Sequence, residues 1–336
     1  MNSYFGPSDS LGRRRLCHWL TGFAVLIGQL ASAFAYAQTA TETRDKSATK
    51  TSKAEKAEDS KEPKLGHDWV RVQNDDKGKV RSMQTAIVRY AYAPSKDGKK
   101  QKPVEVDLIG AVHIGDIAYY RKLNDQFKQY DALLYELVAP EGTVVKRGRG
   151  TSNAHPVGAM QNAIKSLLEL DHQLEYIDYT RPNFVHADMS PDEFAQSMKD
   201  RNESFLQMYF RLMGQAMAQQ SELAEKGGGA SDFELISALF AEDRPRRLKT
   251  VLAKQLSEME SLMVSFGGEQ GSVIISERNK KALGVLKKEL AEGKTRVGIF
   301  YGAGHLNDMN DRLRKDFNLE PVSITWLTAW DLAETP

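Results

Sequence analysis

Cysteine is almost missing from this chain. Cys17 is the only one in 336 residues, and it falls inside an N-terminal apolar run. A disulfide within the chain and a multi-thiolate metal site are therefore excluded, and a cysteine nucleophile goes too once that run is removed. A surplus of one charge is also lacking: 46 Lys and Arg stand against 45 Asp and Glu, a formal net charge of +1. Nothing in this balance points to a nucleic-acid partner, and no zinc-finger, helix-turn-helix or RNA-binding signature occurs. The sequence also has no Gly-x-Ser-x-Gly elbow, His-Glu-x-x-His helix, Walker loop or complete dinucleotide fingerprint, so the mechanisms those motifs carry are set aside.

What is present begins with a targeting pattern. Arg13, Arg14 and Arg15 precede a mostly apolar stretch from Leu16 to Phe34, and Ala35-Tyr36-Ala37 fits the small-x-small rule for signal peptidase. Residues 1–37 read as a signal peptide of an exported bacterial protein, periplasmic or in the cell envelope. The alternative is an uncleaved anchor, the one way this chain would meet a membrane. Residues 38–66 are rich in Lys, Glu, Ala, Ser and Thr, with no aromatic or branched aliphatic residue before Leu65. Such a composition buries too little apolar surface to offset chain entropy and predicts a disordered linker.

Residues 67–336 read as one α/β domain. Its expected form is a central, largely parallel sheet with flanking helices, an antiparallel hairpin on the N-terminal side and a mainly helical insertion at about 140–270. Trp69–Gln73 and Thr85–Tyr92 are β-rich segments around the turn Asn74-Asp75-Asp76-Lys77-Gly78. Val104–Val112, a helix from Asp116 to about Tyr130, and Asp131–Leu137 form a strand–helix–strand unit whose strands should be parallel. A helix over Ser272–Glu292 stopped by Gly293, a strand over Thr295–Tyr301, a helix from Asp308 and a strand over Val322–Leu327 close the chain. Within the insertion, His155–Leu170 predicts a helix and Leu174–Tyr179 a short strand. Ser190-Pro191-Asp192-Glu193 is a capping box opening a helix with Phe194, Met198, Phe205, Met208, Tyr209 and Met213 on one stripe, a pattern that core packing explains before a binding groove does.

An internal match carries the chemistry. Gly110-Ala111-Val112-His113-Ile114-Gly115-Asp116 aligns with Gly302-Ala303-Gly304-His305-Leu306-Asn307-Asp308, with Gly, Ala, His and Asp at identical spacing. Both copies follow a β-branched strand and enter a helix. Each glycine is expected to permit a sharp turn, and each aspartate to cap the following helix. Ligands of open parallel sheets bind at the C-terminal edge of the strands, so His113 and His305 are expected on one rim. Glu136, at the end of the apolar run Leu133-Leu134-Tyr135, belongs there too. A carboxylate in such surroundings needs a partner, which makes it an ion-pair member, a metal ligand or a general base. Glu277-Arg278-Asn279, in the first turns of the helix before the His305 strand, faces the same rim. Two His and one carboxylate form a donor set for Zn, Mn, Co or Fe, and Arg278 suits a developing oxyanion.

These residues resemble the TraB/Tiki (TraB/GumN-like) family. The likeness rests on the two Gly-x-x-His motifs, on Glu136 after its strand, on Glu277-Arg278-Asn279, and on Ala187-Asp188-Met189-Ser190 with Phe194, in order over residues 84–330. The resemblance implies an α/β fold related to erythromycin esterases and haem-binding ChaN proteins. It also implies a metal-dependent hydrolase of metallopeptidase type, by analogy with the family's animal members, whose metal is Mn or Co rather than Zn. Carried over by position, His113, Glu136 and His305 become metal or catalytic residues, Arg278 a catalytic one, and Asp188, Glu277 and Asn279 supporting ones. The partner is then a peptide or small-molecule substrate. A metal-free esterase-like hydrolase, with a rim histidine as base oriented by Glu136, and a peptide- or haem-binding envelope protein remain open alternatives.

Overall fold

The structure, a computed structural model, describes residues 64–92, 103–145, 168–203, 240–266 and 273–333, together with 234, 237 and 238. Residues 1–37, expected to be a signal peptide, nearly all of the expected linker and most of the helix expected over His155–Leu170 lie outside the described residues.

The elements follow the expected order. Strands β1 (Val70–Asn74) and β2 (Val80–Tyr92) form the antiparallel hairpin. Asp75 Oδ1 accepts the N–H groups of Lys77 and Lys79, and Gly78 takes a positive φ of 75°, so the turn is made by the residue types that favour it. Strand β3 (Glu105–Ala111), a two-residue β4 (Ile114–Gly115), helix α1 (Ile117–Phe127) and β5 (Ala132–Tyr135) come next. The insertion contains β6 (Asp171–His172), α2 (Gln173–Tyr176), β7 (Phe184–His186), α3 (Pro191–Asp200) and α4 (Arg244–Phe266). A π-helical turn (Val273–Glu277) leads into α5 (Arg278–Ala291). Strand β8 (Arg296–Gly302), a 3₁₀ turn (Ala303–His305), α6 (Leu306–Phe317) and β9 (Leu319–Asp331) complete the fold.

The sheet has a parallel half and an antiparallel half. β3, β8, β5 and β7 are parallel neighbours in that order. β2 runs antiparallel to β3, and β1 continues on the same edge of β2; β9 pairs along the other edge from Ser82 to Tyr92. Alternation along the strands sends side chains into two cores. Ile109, Ala111 and Phe300 pack with Tyr119, Tyr120, Leu123 and Phe127 of α1. Val106, Leu108, Val297, Ile299 and Tyr301 pack with Leu283 and Leu286 of α5 and with Leu306, Met309 and Leu313 of α6.

β3 and β5 are parallel as expected, and β8, far along the chain, inserts between them. Several other expectations need correction. Leu174–Tyr179 is no strand: Gln173–Tyr176 is a helical turn that buries Gln173 and leaves Leu174 43% exposed, reversing the apolar logic. The reason is hydrogen bonding, since the Gln173 N–H donates to the His113 carbonyl and its amide nitrogen to the Tyr179 hydroxyl at 2.7 Å. The mainly helical insertion also supplies β7 to the main sheet. The capping box at Ser190 forms as expected, but its helix ends at Asp200, and Phe205 to Met213 lie outside the described residues. Asp116 holds the cap position of α1 without capping it. Its carboxylate accepts the Asp331 N–H at 2.6 Å and faces Lys249. Asp308 lies inside the first turn of α6, which starts two residues earlier than expected.

Packing makes one residue type obligatory in β8. A Cβ on Gly298 would come within 2.6 Å of Leu133 Cδ1 and 2.9 Å of the Tyr130 ring. Tyr130 is not free to retreat, because its hydroxyl donates to buried Asp107 at 2.8 Å, which also holds Arg89. Gly298→Ala is expected to destabilise the domain by about 1–3 kcal/mol through overpacking, measured by urea unfolding. An unchanged midpoint would show that the ring gives way without cost.

Candidate active site

Each parallel strand delivers one polar residue to the same edge. His113 lies two residues beyond β3, Glu136 one beyond β5, Asp188 two beyond β7, and His305 three beyond β8. The N-terminal end of α5 brings Arg278 and Asn279 to that rim, because the helix runs back antiparallel to β8. Arg278 and Asn279 are neighbours in sequence yet both are buried, at 4% and 0% exposure. The π-helical turn just before them marks the place where the helix is re-aimed.

Arg278 is the hub. Its Nε and Nη2 donate to Asp188 Oδ1 and Oδ2 at 2.9 and 2.5 Å, a two-pronged pair. Nη2 also donates to Glu136 Oε1 at 2.6 Å, and Nη1 lies 3.4 Å from His305 Nε2. The other Glu136 oxygen accepts the Gly302 N–H at 2.7 Å. Burial works against the charge on Glu136. Arg278 above all, with the imidazoles of His305 and His113 in the same sense and the Gly302 N–H, outweighs it and holds the carboxyl well below the usual carboxylate range. Burial likewise opposes the Arg278 charge, and Glu136 and Asp188 more than restore it.

Asn279 settles the state of His305. Its Nδ2 donates to the His305 carbonyl at 2.9 Å and to Asp308 Oδ2 at 2.8 Å, and Asp308 is itself gripped by Arg312. Only Oδ1 is left to meet His305 Nδ1, 2.7 Å away, so Nδ1 carries the proton and Nε2 the lone pair. Burial pushes the imidazole down; Glu136 pulls it up and Arg278 pushes it down again, with the result at about 4. His305 is therefore neutral at neutral pH. Glu136 Oε1 is 3.6 Å from Nε2, so Asn279 and not Glu136 orients this ring.

The two Gly-x-x-His motifs are not equivalent in space. In the β3–β8 register Gly110 pairs with Tyr301, and Ala111 with Gly302. His305 is buried, whereas His113 is exposed. The glycines are not there for a left-handed turn. Gly302 has φ −52° and ψ 137°, open to any residue, and its use is close approach: a Cβ would lie 3.3 Å from Glu136 Oε2. A Cβ on Gly110 would meet the Ala86 carbonyl at 3.2 Å.

Of the expected residues, Glu136, Asp188, Arg278, Asn279 and His305 meet in one network. His113 stands on the same rim beside that network, and its carbonyl anchors Gln173. Glu277 points elsewhere, to Arg201 at 2.9 Å and Lys280 at 2.9 Å, and ties the end of α3 to the π turn. Sequence reasoning missed the Gly302 N–H and the bracing role of Asp308. A backbone donor leaves no residue-type signal, and Asp308 stood in the motif with a cap as its obvious use.

The donor set does not fit a metal ion in this arrangement. Among the described residues no three His, Asp or Glu side chains gather as a cation cage. The guanidinium holds the space between Glu136 and His305 that such an ion would need, and His113 is not drawn in.

Asp188→Ala is expected to cost about 3–5 kcal/mol, because it strips a buried guanidinium of its two-pronged partner; calorimetric or urea unfolding measures it, and a loss within error would show the pair to be dispensable. His305 gives a pH signature. It titrates at about 4 when folded, against the ordinary 6.5 of a histidine, so between these values the unfolded chain takes up a proton that the folded chain refuses. The contribution is fully present above pH 6.5 and is lost as pH falls toward 4, by about 3 kcal/mol in total. His305→Gln should flatten the unfolding free energy across that window, and an unchanged pH slope would place His305 in a solvated environment. No family model, no curated protein and no solved structure matches the chain, which leaves the geometry of this rim and the motif resemblance as the grounds for function.

Proposed function

We propose that this chain is an exported hydrolase that attacks a carbonyl of a peptide or small-molecule ester with water, at the C-terminal rim of its parallel strands. The observation that carries the reading is the buried Glu136–Arg278–Asp188–His305 network beside an exposed imidazole, His113, on the same rim. A neutral His305, a permanently ionised Glu136 and a fixed guanidinium form a preorganised polar wall of the kind that stabilises developing charge.

In this reading His113 is the base. It is the imidazole open to solvent and takes the proton from the attacking water at a ring nitrogen, with the nearby Glu136 carboxylate favouring the imidazolium that results; the imidazolium then returns that proton to the leaving alcohol or amine as its bond to the carbonyl carbon breaks. Arg278 has five N–H groups. Nε, both hydrogens of Nη2 and one of Nη1 are aimed at Asp188, Glu136 and His305. The second Nη1 hydrogen is the donor for the carbonyl oxygen as it becomes an oxyanion. Asp188 and Asn279 are positioning residues, one for the guanidinium and the other for His305. The apolar N-terminal run supports export, and the TraB/Tiki resemblance supports hydrolysis.

The metal-dependent form of the reading, with Mn or Co on His113, Glu136 and His305, has one observation in its favour. Two carboxylates share a single guanidinium while His305 is neutral, so the buried network holds one negative charge in excess. Chelation separates the two forms. The full chain is assayed on p-nitrophenyl butyrate and on fluorescein-labelled casein, with and without EDTA. Turnover that survives EDTA and falls by roughly 10²–10⁴-fold in His113→Ala is expected for the base mechanism, with the exposed substitution leaving the fold intact. Loss on chelation selects the metal form, and equal turnover by wild type and His113→Ala removes His113 from the chemistry.

A further inference from the structure

Around the Arg278 guanidinium stand the atoms that a divalent cation would choose. Glu136 Oε1 is 2.6 Å and Asp188 Oδ2 2.5 Å from Nη2, and His305 Nε2 is 3.4 Å from Nη1. Both carboxylates are ionised partners of the arginine, and the imidazole presents a lone pair because Asn279 holds its Nδ1–H. That last feature has the form of the outer-shell hydrogen bond that fixes the tautomer of a metal-bound histidine. A metal ion sits at roughly 2.0–2.2 Å from its oxygen and nitrogen ligands, so it cannot share these oxygens at the place Nη2 already holds.

We propose that Arg278 is the resident cation of this site, a side chain standing where a metal ion would stand, and that the latent ligand set is Glu136, Asp188 and His305. This set differs from the motif-derived one in replacing His113, which is exposed, with Asp188, which is 1% exposed and braced by its own bond to the Met189 N–H. Removing the guanidinium leaves two buried carboxylates without a counterion beside an oriented imidazole, and a divalent cation restores the balance. The proposal goes beyond the hydrolase reading. It concerns what holds the charge of the site, and it stands whether or not the site turns over a substrate.

The test is therefore binding and not turnover. Manganese is titrated into the purified full chain, made without a histidine tag, and followed by loss of the free Mn signal in electron paramagnetic resonance. Wild type is expected to take up no stoichiometric Mn and to unfold at the same temperature with Mn or with EDTA. Arg278→Ala is expected to bind Mn stoichiometrically and to gain thermal stability from it. That gain should vanish when Asp188→Asn or His305→Gln is added and persist when His113→Ala is added. Stoichiometric Mn on the wild type overturns the proposal, and so does a folded Arg278→Ala that binds none or that depends on His113. If the alanine variant does not fold, Arg278→Gln, which keeps an amide donor, is read by the same outcomes.

Discussion

A guanidinium buried between two carboxylates is costly to desolvate and costly to break. Once Arg278 is withdrawn from water, its hydrogen bonds to Asp188 and Glu136 must be made together, since either carboxylate left alone would be a buried, uncompensated charge. This requirement fixes the relative positions of three chain segments that are remote in sequence. Glu136 follows β5, Asp188 follows β7, and Arg278 begins α5. The rest of the rim is arranged around that constraint. Gly302 gives up a side chain so that its N–H can reach Glu136, and His305 lies where Arg278 and Asn279 meet its two ring nitrogens.

The sheet makes this convergence possible without long loops. Parallel strands all end on one edge, so residues one to three positions past four different strands arrive at a common rim. The antiparallel half, β1, β2 and β9, covers the flank of β3, and β9 holds the turn after His113, with Trp330 Nε1 donating to the Ile114 carbonyl at 2.8 Å. The wall on the α1 side is closed by a different device. The β4–β6 ribbon pairs Ile114 with His172, and Gln173 binds the His113 carbonyl, so the first Gly-x-x-His turn is tied down by backbone contacts while its imidazole stays exposed.

The two motifs show how a sequence repeat can diverge in space. Their residues match at identical spacing, and both enter a helix at the same edge of the sheet. The strands, however, pair one residue out of step, with Gly110 opposite Tyr301. One histidine is then sealed among Arg278, Asn279 and Tyr301, and the other faces solvent. Like motifs need not have like surroundings, and the register is what separates these two.

What could be read from the sequence alone was periodic or local. Alternating and helical apolar patterns announced the strands and helices of the described domain, the Ser190 box announced α3, and position at strand ends announced Glu136, His113 and His305 as rim residues. These follow from backbone geometry and short-range hydrogen bonding, which neighbouring residues set among themselves. Only the tertiary structure decided that β8 slips between β3 and β5, that Gln173 is buried while Leu174 is not, and that Arg278 takes the centre of the site. Strand order and the pairing of distant charges depend on which surfaces exclude water together, and no local stretch of sequence carries that information.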